Sequence, residues 1–144
     1  MSGKLMLDEG EYSRWIGSAH KTLESAQRDY EDGDYNWACF KAHQVAEKAL
    51  KAILWGIGKP RTGHSLVYLL SYIAKELGVD VPDVVREACM ALSKFYTITR
   101  YPDAWSEGMP EEYFSAKEAE EALRDAKIIL DWVEGLWRKL SGKG

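Results

Sequence analysis

Apolar residues recur at intervals of three and four along nearly the whole chain and almost nowhere at intervals of two, which predicts helices rather than strands. A first helix, about Glu9 to Tyr30, lines Tyr12, Trp15, Ile16, Ala19, Leu23, Ala26 and Tyr30 along one face. The run from Glu31 to Asp34 ends it and opens a second helix, about Tyr35 to Trp55, with Ala38, Ala42, Val45, Ala46, Ala49 and Ile53 inward. Gly56, Gly58 and Pro60 break that helix. A third runs from about Ser65, a plausible N-cap, to Leu77 before Gly78, and turns Leu66, Leu69, Leu70 and Ile73 inward. A fourth follows Pro82 and Asp83 and is expected to end near Arg100 or Tyr101, because the residue before Pro102 is pushed out of the α region. A surface loop to Tyr113 leads to the fifth, about Ser115 to Leu140, which opens on a Ser-Ala-Lys-Glu capping box. The predicted fold class is all-α, a bundle of about five helices, with residues 1–144 forming one domain.

The second helix departs from simple amphipathicity. At 100° per residue Trp37, Phe40, Gln44, Glu47, Lys48, Lys51 and Trp55 share the side opposite its alanine stripe, so aromatics alternate with charges where a solvated face carries fewer aromatics. Trp132 projects off the main stripe of the fifth helix in the same way. Such aromatics predict a homodimer surface.

No segment has the roughly 18 consecutive apolar residues of a membrane helix, and Met1 to Arg14 carries acidic residues and no apolar stretch of a secretory leader. The expectation is a soluble, cytoplasmic protein. Cys39 and Cys89 are isolated from each other and from histidine at ligand spacing, which predicts buried reduced thiols, no metal and no cofactor. The net charge of −4 excludes a broadly basic nucleic-acid surface, so any such site is local.

Two stretches carry a family resemblance. Gln44, Glu47, Lys48 and Lys51 punctuate the second helix ahead of Gly63-His64-Ser65-Leu66, and the segment from Tyr96 to Trp105 contains Arg100-Tyr101-Pro102-Asp103. With five helices of suitable length, the chain resembles the HEPN family (higher eukaryotes and prokaryotes nucleotide-binding), in the prokaryotic form carrying an RYPD segment. The resemblance implies an antiparallel up-and-down bundle, often a homodimer, acting with a minimal nucleotidyltransferase in a two-component, toxin–antitoxin-like system. Family members that cut RNA carry an Arg followed four to six residues later by His, and after Arg100 this chain reads Tyr-Pro-Asp-Ala-Trp-Ser-Glu. The expectation is therefore a binding module with no catalytic residues. Arg14 and His20 have the spacing but lie on the first helix, and the match is read as chance.

Arg100 is the leading ligand-binding candidate, since a guanidinium offers phosphate a permanently charged planar fork. Tyr96 and Tyr101 offer stacking faces, and Asp103 an acceptor for a ribose hydroxyl or for Arg100 itself. The plainer alternative is an Arg100–Asp103 ion pair that staples the turn at Pro102. Lys48 and Lys51 are surface neighbours with Gln44 a turn before, a place for a phosphate. Glu47 is read as balancing their charge, His64 as a helix-start cap and His43 as a satisfied packing residue. The expected function is nucleotide or RNA-phosphate binding. Its rivals are a metal-independent RNase rebuilt around Arg100, Tyr96 and Asp103, and a purely structural dimer.

Overall fold

The structure is a computed structural model that describes residues 6–143. Five helices account for most of them: α1 (Glu9–Glu31), α2 (Tyr35–Gly56), α3 (Leu66–Leu77), α4 (Asp83–Ser93) and α5 (Ala116–Leu140), and the described residues contain no strand. The expected all-α bundle of five helices is what forms. The stretch inspected for a leader and the expected 1–144 domain both include residues 1–5, outside the described set. No described helix is long and apolar enough to cross a membrane.

Local chemistry sets the helix ends. The Asp8 carboxylate accepts from the Glu11 amide, the Ser65 hydroxyl from Tyr68 and the Ser115 hydroxyl from Glu118, so three N-termini have one of their free N–H groups capped. Gly78 closes α3 in the left-handed region at φ 61°, where a side chain would be strained. The short link between α1 and α2 makes them a helical hairpin. α2 sits at the centre, packed against α1, α3, α4 and α5. Ala38, Ala42, Ala46 and Ala49 are fully buried on it, and their small side chains let the neighbouring backbones approach closely. Cys39 and Cys89 are buried free thiols pushed up to about 12 by burial, and so are unreactive.

Two expectations are corrected. The side of α2 opposite the alanines is not an open surface throughout: Glu47 and Lys51 on it and Asn36 and His43 beside it are buried, so polar residues at helical spacing here line an interior. Phe40 and Trp55 are partly covered as well, and Trp55 stacks on Trp15 at 6.1 Å. Trp132 packs against the core, which leaves Trp37, 37% exposed, as the open member of the proposed dimer set.

The second correction concerns α4, which ends at Ser93, well before Arg100, and gives way to a turn-rich stretch over residues 94–100. Side chains compete for the carbonyls that a continuing helix would use. Ser93 Oγ donates to the Cys89 carbonyl, Thr99 Oγ1 to Phe95 and the Arg100 guanidinium to Tyr96. The buried Asn36 amide then holds the Thr99 carbonyl at 3.0 Å and ties the stretch to α2. Beyond it, the loop is built rather than loose: Trp105 donates to the Ile98 carbonyl at 2.8 Å and stacks on Tyr113 at 4.0 Å.

Candidate functional site

The 94–100 stretch and α2 together place Arg100 in an aromatic setting. Its guanidinium carbon lies 4.1 Å from the Phe40 ring centre and 5.1 Å from those of Tyr96 and Tyr101, within the range of cation–π attraction. Among the described residues it has no carboxylate partner, and its buried Nε–H has no acceptor. The alternative of an Arg100–Asp103 ion pair is thus not what forms. Asp103 lines, with Thr97, Tyr101 and Ala104, an adjoining open cavity of about 470 Å³. A fixed, charged fork next to aromatic faces is suited to a phosphate group flanked by a base.

The other candidates divide. Lys48 turns toward α1 and donates to Thr22 at 2.9 Å, so it does not share a site with Arg100. Lys51 does not face outward beside Lys48 either; it donates to Glu47 at 3.0 Å with its side chain 10% exposed. Gln44 bonds the His43 ring at 3.3 Å.

His64 and Glu47 carry more than composition suggested. Ser65 supplies the α3 cap, and His64 instead reaches back to α2, with Nδ1 2.9 Å from Glu47 Oε1. Its ring stacks on Tyr96 at 4.3 Å and 19°, so Tyr96 is shared between His64 and Arg100. His43, under both, bonds the His64 carbonyl at 3.1 Å, and burial pushes its pKa down to about 4. A Glu–Lys pair four apart on a helix that is apolar on its other sides was the available sign of this network. Arg14 and His20 serve separate partners, Glu11 and Glu134, as befits a chance spacing.

With this geometry in place, comparison with known proteins identifies the chain. Residues 12–136 match the HEPN domain, and the chain belongs to that family. It is similar to TT1696 from Thermus thermophilus, with 42% identity and a TM-score of 0.82 over 86% of this chain and 96% of that one. It is also similar to ST0689, an archaeal HEPN homologue, with 37% identity and a TM-score of 0.73 over 87% and 96% of the two chains. A UPF0332 protein from Archaeoglobus fulgidus is 29% identical over 80% of this chain and 86% of its own length.

Proposed function

We propose that the chain is a nucleotide- or RNA-phosphate-binding module that works as a homodimer beside a minimal nucleotidyltransferase, in a two-component, toxin–antitoxin-like system. The observation that carries the binding role is Arg100, a half-buried guanidinium framed by three aromatic rings and with no carboxylate partner among the described residues. Phosphate would meet the fork, with Tyr96 and Tyr101 flanking it and Asp103 accepting from a ribose hydroxyl. Family membership supports the nucleotide reading, and the open Trp37 supports the dimer.

The test is the binding of short single-stranded RNA and of mononucleotides to the wild-type protein and to Arg100→Ala and Arg100→Lys, at several salt concentrations. Affinity is expected to fall with salt, and Arg100→Ala to weaken it about tenfold or more, the loss of one charge-assisted contact. Arg100→Lys keeps the charge, loses the fork and falls between. An Arg100→Ala protein with native circular dichroism and undiminished affinity would refute the site. Sedimentation equilibrium at micromolar concentration checks the dimer, and co-purification with an adjacently encoded nucleotidyltransferase checks the partner.

A further inference from the structure

A cavity that shares no residue with the Arg100 cluster lies where α1 meets the C-terminal end of α2 and the link to α3. Its volume is about 360 Å³, and it is lined by Trp15, Lys51, Trp55, Pro60, Arg61 and Thr62. A turn builds it: after α2 ends at Gly56, the Lys59 amide donates to the Leu54 carbonyl at 2.8 Å and folds the link back beside the helix it has just left. Trp15 and Trp55 supply flat apolar walls, with 16° between their planes and ring centres 6.1 Å apart. The two cations are held in place. The Lys51 side chain is 10% exposed, and its ammonium lies 5.9 Å from the Trp15 ring centre. That ammonium has three N–H donors, spends one on Glu47 and makes no other hydrogen bond among the described residues. Arg61 donates to the Lys59 and Pro60 carbonyls at 3.4 and 3.1 Å, and its guanidinium carbon lies 4.7 Å from the Tyr72 ring centre. No carboxylate lines the cavity. A buried ammonium with donors unspent, at the wall of an apolar cavity, is a polar demand that a ligand carrying an acceptor would meet.

We propose that this cavity binds a small planar aromatic carboxylate, with its ring against Trp15 and Trp55 and its acid group on Lys51 and Arg61. Flat apolar walls favour a ring, because stacked aromatic faces gain more than the burial of their area alone. Cations at the same wall favour an acid group, since charge-assisted hydrogen bonds are about twice as strong as neutral ones. Each cation already shares its charge with a glutamate outside the cavity, Lys51 with Glu47 at 3.0 Å and Arg61 with Glu76 at 3.8 Å. The charge left over suits one carboxylate and not the several negative charges of a phosphate chain. The volume lies within the range of small-ligand sites. The site is independent of the phosphate-binding reading of Arg100, and neither needs the other.

The test titrates the full chain with 2-naphthoate and follows the indole N–H signals by NMR, with Trp15→Leu and Trp55→Leu assigning the two that matter. Saturable shifts of both are expected, with a Kd on the order of 1 mM or tighter, the scale that ligand efficiency sets for a molecule of this size. 2-Naphthalenemethanol has the same rings without the charge and is expected to bind about tenfold more weakly. Acetate, charged but ringless, is expected to give no saturable shift. Arg61→Gln is expected to weaken 2-naphthoate about tenfold while leaving the alcohol and single-stranded RNA bound as before. Glu47→Leu combined with Lys51→Met removes the ammonium without stranding the carboxylate, and is expected to weaken the acid to a similar degree. Variants are compared at matched circular dichroism, and the partly exposed Arg61 keeps the test decisive if a tryptophan variant does not fold. Titration that moves neither indole overturns the site. Equal affinity for acid and alcohol removes the two cations from it. AMP that shifts the same indoles at lower concentration than 2-naphthoate overturns the assignment to a single carboxylate. RNA affinity that falls in Arg61→Gln overturns its independence from Arg100.

Discussion

The two halves of α2 are packed by opposite means. At its C-terminal end the Gly56 backbone runs beneath Trp137, whose indole lies flat on Tyr12 with ring centres 4.1 Å apart and 4° between planes. A Cβ on Gly56 would come within 2.5 Å of that indole. Close packing dominates the geometry there, and burial pushes the Tyr12 phenol up to about 12, above its ordinary range. From Asn36 to Lys51 much of the helix is also buried, but side-chain hydrogen bonds set the geometry: the Asn36 amide donates to the Thr99 carbonyl, the His43 ring bonds the His64 carbonyl, and the Glu47 carboxylate accepts from Lys51 and bonds the His64 ring. Steric order tolerates pH and resists substitution by bulk, whereas polar order is sensitive to charge and leaves groups available for chemistry.

The contrast is broken most severely at Glu47. Glu47→Ala leaves the Lys51 ammonium buried without its partner, and we expect a loss of about 4 kcal/mol in urea unfolding. Glu47→Leu combined with Lys51→Met is expected to recover most of it; a single-variant loss under about 1 kcal/mol would mean that the pair is not what orders this stretch.

His43 sharpens the comparison through pH. Its pKa is lowered to about 4 in the fold against 6.5 unfolded, so between those values the unfolded chain binds the extra proton. The contribution is complete above about pH 6.5 and is lost as pH falls to 4, roughly 3 kcal/mol in all. Stability curves of wild type and His43→Gln should converge in slope outside this window and differ inside it. Identical slopes throughout would exclude a buried neutral His43.

At the steric end, Gly56→Ala is expected to cost about 2 kcal/mol by crowding Trp137, at every pH from 5 to 8 and with RNA affinity unchanged. A pH-dependent cost would show that the two halves are coupled. The smallest effect is expected for Asn36→Ala, about 1 kcal/mol for the unpaired Thr99 carbonyl, with faster amide exchange confined to residues 94–100. Uniform exchange across the bundle would contradict a local tether.

The helices were legible because their apolar spacing is set by the same 3.6-residue period that the bundle buries, and Ser65, Gly78 and Ser115 do at the helix ends what their types favour. The early end of α4 was not, since it depends on Thr99 and Arg100 finding carbonyls four residues back, an outcome no periodicity encodes. Arg100, Tyr96 and Tyr101 were found as neighbours because they lie close in sequence. His64 was missed as their companion: its partner Glu47 is seventeen residues away, and periodicity assigned Glu47 and Lys51 to a surface that the fold covers.

Lys51 and His64 share no bond, yet each depends on a different oxygen of one carboxylate. A substitution at residue 47 strands an ammonium and releases an imidazole in the same step, so mutations at 47, 51 and 64 do not combine additively. A path that loses Glu47 before Lys51 passes through a protein with an unpaired buried ammonium, less stable than the one it left. The three positions are therefore expected to change together among relatives, and an alignment in which they vary independently would contradict the coupling.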